Sequence, residues 1–452
     1  MTITRDKEYY RDIMRLAPPI LIGNLLTFSV GFTDHFMTGE LGRDAISGIY
    51  LSNQIGMLLQ FLIVGVESAL AIMGARYHGD GDDDSAARAC GVAMISGEII
   101  AILLTFVCIF LPKQVLSLFT SNTKIIDTGA PFLRILAISF PIYTASRVLV
   151  AYARSIERAS LSLIAPAVSF SLNLALNLIL IYGTPLTPSL GTLGAAIATL
   201  AARCLELAIS IIYTVRAARQ SGIDPSKYFK PQKKIFLSYL RCALPVLGGQ
   251  GVWAASNFFT SAILGRVDGG AAVAAVGVAI SIGNLAYTLM NAASASVGVI
   301  ISKAVGRGDE KGKITEYAHT SELLFLCVGV IASLAILLLR SPFISLYRLE
   351  GADAELASRL ILTVAVSFVA ICYSAASLFG IIKSGGDVRF AALCELFFLA
   401  AVTLPLGTVA YRLGADAATL FIILRVEHFL KCPVAWLKIR RGNWIKRVTE
   451  DK

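Results

Sequence analysis

Long apolar stretches separated by short charged ones fill the chain. They fall near 16–38, 50–73, 90–111, 132–152, 161–182, 192–214, 242–264, 276–300, 321–339, 360–382, 390–410 and 415–437. Each has helix length, because about 20 apolar residues are needed to cross a hydrocarbon layer of about 30 Å. The short alternating segments of a membrane β-barrel are absent. The pattern predicts an all-α membrane protein of twelve transmembrane helices. The first dozen residues, MTITRDKEYYRD, are polar. The long apolar run that follows has no clear A-x-A cleavage site, so it reads as a retained first span rather than a removed leader.

Composition narrows the class further. Of 452 residues, 56% are hydrophobic and 15% charged, against about 25% charged in a soluble domain. Disordered, fibrous and small disulfide-scaffold classes are excluded on the same ground. The net charge of +10 could suggest nucleic acid, but its distribution points elsewhere. Twelve spans put both termini on one side. That side and its loops carry 28 Lys and Arg, the opposite side eight, and four (Arg134, Arg147, Arg203, Arg425) sit within or at the edge of spans. The bias makes the termini cytoplasmic and leaves no reason to invoke nucleic acid. Eight cysteines, most of them inside apolar runs and none in a CxxC, read as small hydrophobes. No HExxH, Walker A loop or GxSxG is present, which argues against a metalloenzyme, an ATP-driven pump and a serine hydrolase.

The halves repeat. At a shift of 226 residues Arg15, Ala17, Pro19, Gly23 and Gly39 meet Arg241, Ala243, Pro245, Gly249 and Gly265. One residue later Gly56, Arg76, Gly79, Gly81 and Asp82 meet Gly283, Lys303, Gly306, Gly308 and Asp309, and further on Ala137, Ser139 and Phe140 meet Ala365, Ser367 and Phe368. Six spans is an even number, so the two repeats share one orientation. The expectation is two lobes around a central cleft that open alternately. The boundaries read as 1–214 for the N-terminal six-helix lobe, 215–241 for a cytoplasmic linker, 242–437 for the C-terminal six-helix lobe and 438–452 for a basic cytoplasmic tail. Pro18, Pro19, Pro141, Pro166 and Pro245 are candidate helix bends.

Several segments carry a family likeness: APPILIGNLLTFSVGFTDHFMTGELG in span one, the Gly-rich loops GARYHGDGDD and SKAVGRGDEK, NLALNLILIYG in span five, GTLGAAIATLAARCLE entering span six, and IIKSGGDVR after span ten. In order and spacing, the chain resembles the multidrug and toxic compound extrusion (MATE) transporters of bacterial type. The resemblance implies a secondary antiporter of the bacterial inner membrane. It would be a monomer that exports organic cations or xenobiotics in exchange for H⁺ or Na⁺, with no other cofactor and the lipid bilayer as its surroundings. It also implies that Asp34 is the coupling carboxyl, and that Asn173 and Asn177 close the same cavity with Thr199 facing it. One branch of the family has a Glu in span seven and an Asp in span ten. Here those spans offer Gln250, Ser256 and Asn257, and Cys372, Tyr373 and Ser374, so a carboxylate Na⁺ site in the C-terminal lobe is not expected. Na⁺ at the Asp34 cluster is the alternative to a proton.

The residues themselves support weighing these assignments. An acid inside a span costs about 2.5–3.5 kcal/mol on insertion scales, which makes Asp34 a functional candidate by default. Its neighbour His35 points about 100° away around the helix. Asn173 and Asn177 share one helix face, where they could hydrogen-bond Asp34, ligate a cation or simply join helices. Glu67 is either a second carrier of charge or an acid at a hydrated end of span two. Arg147 is best paired with a nearby acid. Arg203 and Glu206, three apart, are expected to pair, and Arg425, Glu427 and His428 occupy the matching part of span twelve, which suggests scaffolding. Two rival readings remain: a flippase for lipid-linked or polysaccharide precursors, which would want Arg or Lys in its cleft, and a polytopic lipid-modifying enzyme, which would want an acid–base pair at one membrane face.

Overall fold

Helix runs beyond the apolar stretches at almost every span, because charged ends can continue the same hydrogen-bond ladder outside the lipid. The computed structural model describes residues 3–38, 43–120, 122–184, 188–220, 222–230, 232–264, 273–347 and 349–446. The first repeat contains α1 (Lys7–Thr38), α2 (Arg43–Gly79), α3 (Asp83–Phe110), the short α4 (Pro112–Ser117), α5 (Thr123–Ser155), α6 (Leu161–Tyr182) and α7 (Thr192–Gln220). A 3₁₀ turn, Pro225–Phe229, precedes α8 (Lys233–Leu264), so part of the expected linker is helical. Next come α9 (Val273–Arg307), α10 (Lys311–Leu346), α11 (Gly351–Ala376), α12 (Lys383–Gly385), α13 (Val388–Phe398), α14 (Leu404–Arg412), α15 (Ala417–Ile423) and α16 (Val426–Arg440).

The π turn Ser377–Ile382 joins α11 to α12, and a second, Leu399–Thr403, joins α13 to α14. Span twelve is split between α15 and α16 at Leu424 and Arg425. Twelve rods result, in two six-helix repeats, and no strand forms among the described residues. Ten helical stretches among those residues are long and apolar enough to cross a membrane. The chain is an all-α, multi-pass membrane protein. The five candidate bend prolines all lie inside helices, in α1, α5, α6 and α8.

Lipid exposure is legible on α3. Ile95, Ile99, Ile102, Leu103, Phe106 and Phe110 are exposed at three- and four-residue spacing, while Ala86, Ala89, Cys90, Ala93 and Gly97 on the other side are buried. Such an apolar outer stripe suits hydrocarbon, where the backbone is satisfied within the helix. Cys90, Cys108, Cys372 and Cys394 are buried as expected, but Cys204 and Cys327 are exposed. They sit on apolar outward helix faces rather than in the interior.

The described residues divide into two units. One comprises Met1–Leu21, Gly79–Gly81 and Leu244–Lys452, the other Ile22–His78 with Asp82–Ala243. The two sequence repeats carry the same local devices. Thr105 Oγ1 donates to the Ala137 carbonyl at 2.9 Å, and Ser333 Oγ donates to the Ala365 carbonyl at 2.7 Å. Ser139 and Ser367 each return a bond to the carbonyl three residues back. Gly81 and Gly308 both take left-handed φ, 79° and 74°, at the turns before α3 and α10, a conformation that favours glycine. Asp82 then caps α3 by accepting from the Ser85 N–H at 2.9 Å.

The two ends of the Leu244–Lys452 unit are held by ions. Asp6 accepts from the Tyr317 hydroxyl at 2.5 Å and lies 3.1 Å from Lys313. The Tyr317 hydroxyl, the Glu8 N–H and the Lys313 ammonium hold its carboxyl at about 2. Arg307 donates to Glu8 at 2.8 Å. The expected cytoplasmic tail is packed as far as residue 446. Trp444 is fully buried, its Nε1 donates to the Ile439 carbonyl at 3.1 Å, and its ring lies where a Cβ on Gly385 would stand. Asp387 meets Lys438 at 2.7 Å and Lys446 at 2.6 Å. Burial opposes its ionisation, but the two ammoniums outweigh burial and hold it below the usual carboxylate range.

Candidate functional site

The seam between α6 and α7 carries a buried polar ladder. At one end the chain approaches so closely that a Cβ on Gly194 would lie 2.4 Å from the Leu180 carbonyl oxygen. Below it, Asn177 Nδ2 donates to Asn173 Oδ1 at 3.2 Å, and Asn173 Nδ2 donates to Thr199 Oγ1 at 3.3 Å. Ser169 Oγ continues the seam to the Ala202 carbonyl. Both asparagines are fully buried. Three of the residues expected at the coupling site therefore form one connected group.

The side chains of Asp34 and His35 lie outside the described residues, but the path of their helix is clear. A Cβ on Gly23 would lie 1.7 Å from the Ser162 carbonyl oxygen, and the Tyr182 hydroxyl donates to the Met37 carbonyl at 3.1 Å. Helix α1 thus runs alongside α6 from its midpoint to its C-terminal end, meeting α6 near both of that helix's ends. Asp34 is three residues before Met37 and Asn177 five before Tyr182, roughly 4.5 and 7.5 Å along their axes. The α1 turn bearing Asp34 is level with the upper part of the ladder.

Glu67 belongs to a different cluster. Arg147 forks onto it, Nε to Oε1 at 2.7 Å and Nη2 to Oε2 at 3.0 Å, and Arg154 Nη2 reaches Oε2 at 2.8 Å. This joins α2 to α5 inside the bundle. Arg203 pairs with Glu206 at 2.7 Å, as expected, and lies 4.4 Å over the Tyr143 ring. The Arg147 pairing matches the sequence expectation. Two guanidiniums hold both oxygens of the Glu67 carboxylate, a clamp between α2 and α5.

In the other unit the polar side chains sort differently from expectation. Arg425 does not pair with Glu427. It donates to Ser367 Oγ at 3.1 Å and stacks 4.4 Å over Phe421. Glu427 instead shares Lys431 with Glu395, at 3.3 and 2.9 Å, and accepts from the Thr403 hydroxyl. Lys431 is one of the 28 cations that the sequence assigns to the cytoplasmic side, yet it is 2% exposed; two buried carboxylates hold it inside. The Glu395–Lys431 pair spans 36 residues, and no helical spacing advertises it. Tyr373 in span ten is also engaged, donating to Glu322 on α10 at 2.5 Å. Gln250 and Ser256 are partly buried on α8, and the Asn257 side chain lies outside the described residues.

Two six-helix repeats with buried polar seams form an architecture that secondary transporters use. The family model described as MatE matches twice, over residues 19–179 and 245–409, one match per repeat with starts 226 residues apart. The chain belongs to the MatE family. It is 25% identical over 354 residues to a probable multidrug resistance protein NorM of Neisseria meningitidis serogroup B, covering 78% of this chain and 76% of that protein. It is also 25% identical over 416 residues to the multidrug resistance protein PmpM of Pseudomonas aeruginosa, covering 91% and 85%. A crystal structure of MATE in the bent conformation superposes with a TM-score of 0.86 at 18% identity, over 97% of this chain and 96% of that one. The last comparison bears on the fold alone.

Proposed function

We propose that the protein is a multidrug exporter that works as a secondary antiporter, expelling organic cations or drug-like molecules in exchange for H⁺ or Na⁺. The observation that carries this reading is the buried Asn177–Asn173–Thr199 chain on α6 and α7, level with the α1 turn that bears Asp34. If the Asp34 carboxyl reaches these buried amides and the hydroxyl, their hydrogen bonds must reorganise when it gains or loses charge. Binding of H⁺ or Na⁺ at Asp34 would redraw those bonds, and the first repeat would switch between states that hold and release substrate. The two relatives named as multidrug resistance proteins support the substrate class. In this reading the protein is a monomer in the bacterial inner membrane, with both termini cytoplasmic. A precursor flippase would need free cations for phosphate, and Arg147 and Arg154 are both committed to Glu67.

The test is ethidium efflux from cells and substrate-induced proton release from purified protein, with and without Na⁺. Asp34→Asn is expected to abolish both, and Asn177→Ala to lower efflux at least tenfold, a loss of about 1.4 kcal/mol of coupling. Full efflux by folded Asp34→Asn would refute the assignment. Release that appears only without Na⁺ would mean that the two ions compete for one site.

A further inference from the structure

Six of the seven buried acids among the described residues have a basic partner. Asp12 lies 3.4 Å from Lys303, Glu67 is held by Arg147 and Arg154, and Glu206 by Arg203. Asp387 has Lys438 and Lys446, and Glu395 and Glu427 share Lys431. Glu322 is the exception. It is 1% exposed, no cation lies within ion-pair distance among the described residues, and the neutral Tyr373 hydroxyl donates to its Oε1. Its other oxygen, Oε2, has no hydrogen-bond partner among those residues.

An uncompensated carboxylate inside a bundle is expensive, and the simplest way to relieve it is to bind a proton. We infer that Glu322 is a proton-exchanging site of the second repeat, separate from Asp34, which takes up H⁺ on Oε2 while Tyr373 donates to Oε1. The step is balanced as written: one carboxylate and one H⁺ give one carboxylic acid, its charge goes from −1 to zero, and Tyr373 remains a phenol throughout.

The surroundings give the proton a direction to leave. On α10 itself, His319 stands one turn toward the charged end that carries Lys311, Lys313 and Glu316. Both His319 ring nitrogens are shielded from solvent and lack partners among the described residues. From α11 the facing group is Tyr373, with Cys432 of α16 beside it. From α16, Arg440 exerts its charge on both Glu322 and His319 without an ion pair to either. On α1, Tyr9 meets the adjacent Ser321 hydroxyl at 2.8 Å. Where α11 continues beyond Tyr373 the helix turns π, at Ser377–Ile382, and Ser377 Oγ is a further buried oxygen without a partner there. Such π insertions often mark functional stretches of a helix.

The consequence for transport rests on the proposed antiport. One H⁺ exchanged for one monovalent cation moves no net charge, so voltage contributes nothing. A second proton at Glu322 makes the exchange electrogenic and adds the membrane potential to the driving force.

Infrared difference spectra of the purified full-length protein between low and high pH test the site without transport. The expected result is a protonated-carboxyl C=O band that is present in the parent, absent in Glu322→Gln and retained in Asp34→Asn. In Tyr373→Phe the band should persist at higher frequency, because the carbonyl loses a donor. A folded Glu322→Gln whose carboxyl absorption loses no component relative to the parent, or a Glu322-dependent component that Tyr373→Phe leaves unmoved, overturns the inference. If Glu322→Gln does not fold, the Tyr373→Phe spectrum decides alone. In proteoliposomes, Glu322→Gln should lower protons moved per substrate about twofold and remove the voltage dependence. Unimpaired transport by Asp34→Asn would sink the antiport reading yet leave the infrared result standing.

Discussion

Replacing Glu67 by glutamine removes one negative charge from beneath two guanidiniums and changes almost nothing in shape. The carboxylate accepts three short charge-assisted bonds, at 2.7, 3.0 and 2.8 Å, and it is 5% exposed. The glutamine amide can still accept through its oxygen, but its NH₂ would then face an arginine donor. Arg147 and Arg154, both largely buried, would be left without a counter-ion. Removing one partner of a buried ion pair costs about 3–5 kcal/mol, equivalent to about two to four decades in the folding equilibrium. Thermal denaturation in detergent, followed by size-exclusion chromatography, should show Glu67→Gln strongly destabilised. Arg147→Met alone should cost a comparable amount. The double variant should cost less than the sum by at least about 1.5 kcal/mol, because the two changes remove the same interaction. Stability equal to the parent, or strict additivity of the two changes, would refute the clamp. A Glu67→Gln protein that is stable yet uncoupled from protons would restore the sequence-based alternative that Glu67 carries charge.

Two further outcomes are expected. The Asp6 carboxyl, held at about 2, contributes stability that is complete above the ordinary Asp value of about 3.9 and is lost as pH falls through the folded value; protection from hydrogen exchange over residues 4–12, relative to the intrinsic rate at each pH, should therefore be flat from pH 8 to pH 5 in the parent and lower at neutral pH in Asp6→Asn, and loosening of the parent at pH 6 would contradict this. Gly81→Ala and Gly308→Ala should each cost about 1–2 kcal/mol from backbone strain alone, since nothing lies near a Cβ at Gly81, whereas Gly91→Ala should destabilise more, because its Cβ would lie 1.9 Å from the Tyr228 carbonyl oxygen; equal melting temperatures for all three would show that this contact yields freely.

What the chain discloses in advance depends on how local the interaction is. The spans, the duplication and the Arg203–Glu206 pair were all readable, because each rests on spacing along one helix or on residues matched at a fixed shift. The Thr105 and Ser333 bonds to repeat-related carbonyls carry no spacing signal within one helix, although the repeat shift relates them. Pairs joined across helices leave no such mark. Glu395 and Lys431 are 36 residues apart, and Glu322 and Tyr373 are 51 apart. Lys431 looks like a solvated charge at the end of a span until its two carboxylates are seen. The break at Arg425 was equally hidden, since the apolar run from 415 to 437 continues through it. The proposed coupling group was legible only through resemblance. Two asparagines at helical spacing serve interhelical joining equally well, and the geometry shows that they do join α6 to α7.

Trp444 is translated after every residue that walls it in. Gly385, whose missing side chain makes room for the indole, leaves the ribosome 59 residues earlier. The Asp387 carboxylate likewise waits for Lys438 and Lys446. Until Lys438, Trp444 and Lys446 emerge, the membrane-inserted second repeat holds an unfilled slot and an acid without these two counter-charges. A nascent chain that stalls or terminates before Trp444 would present both to the cell's proteases.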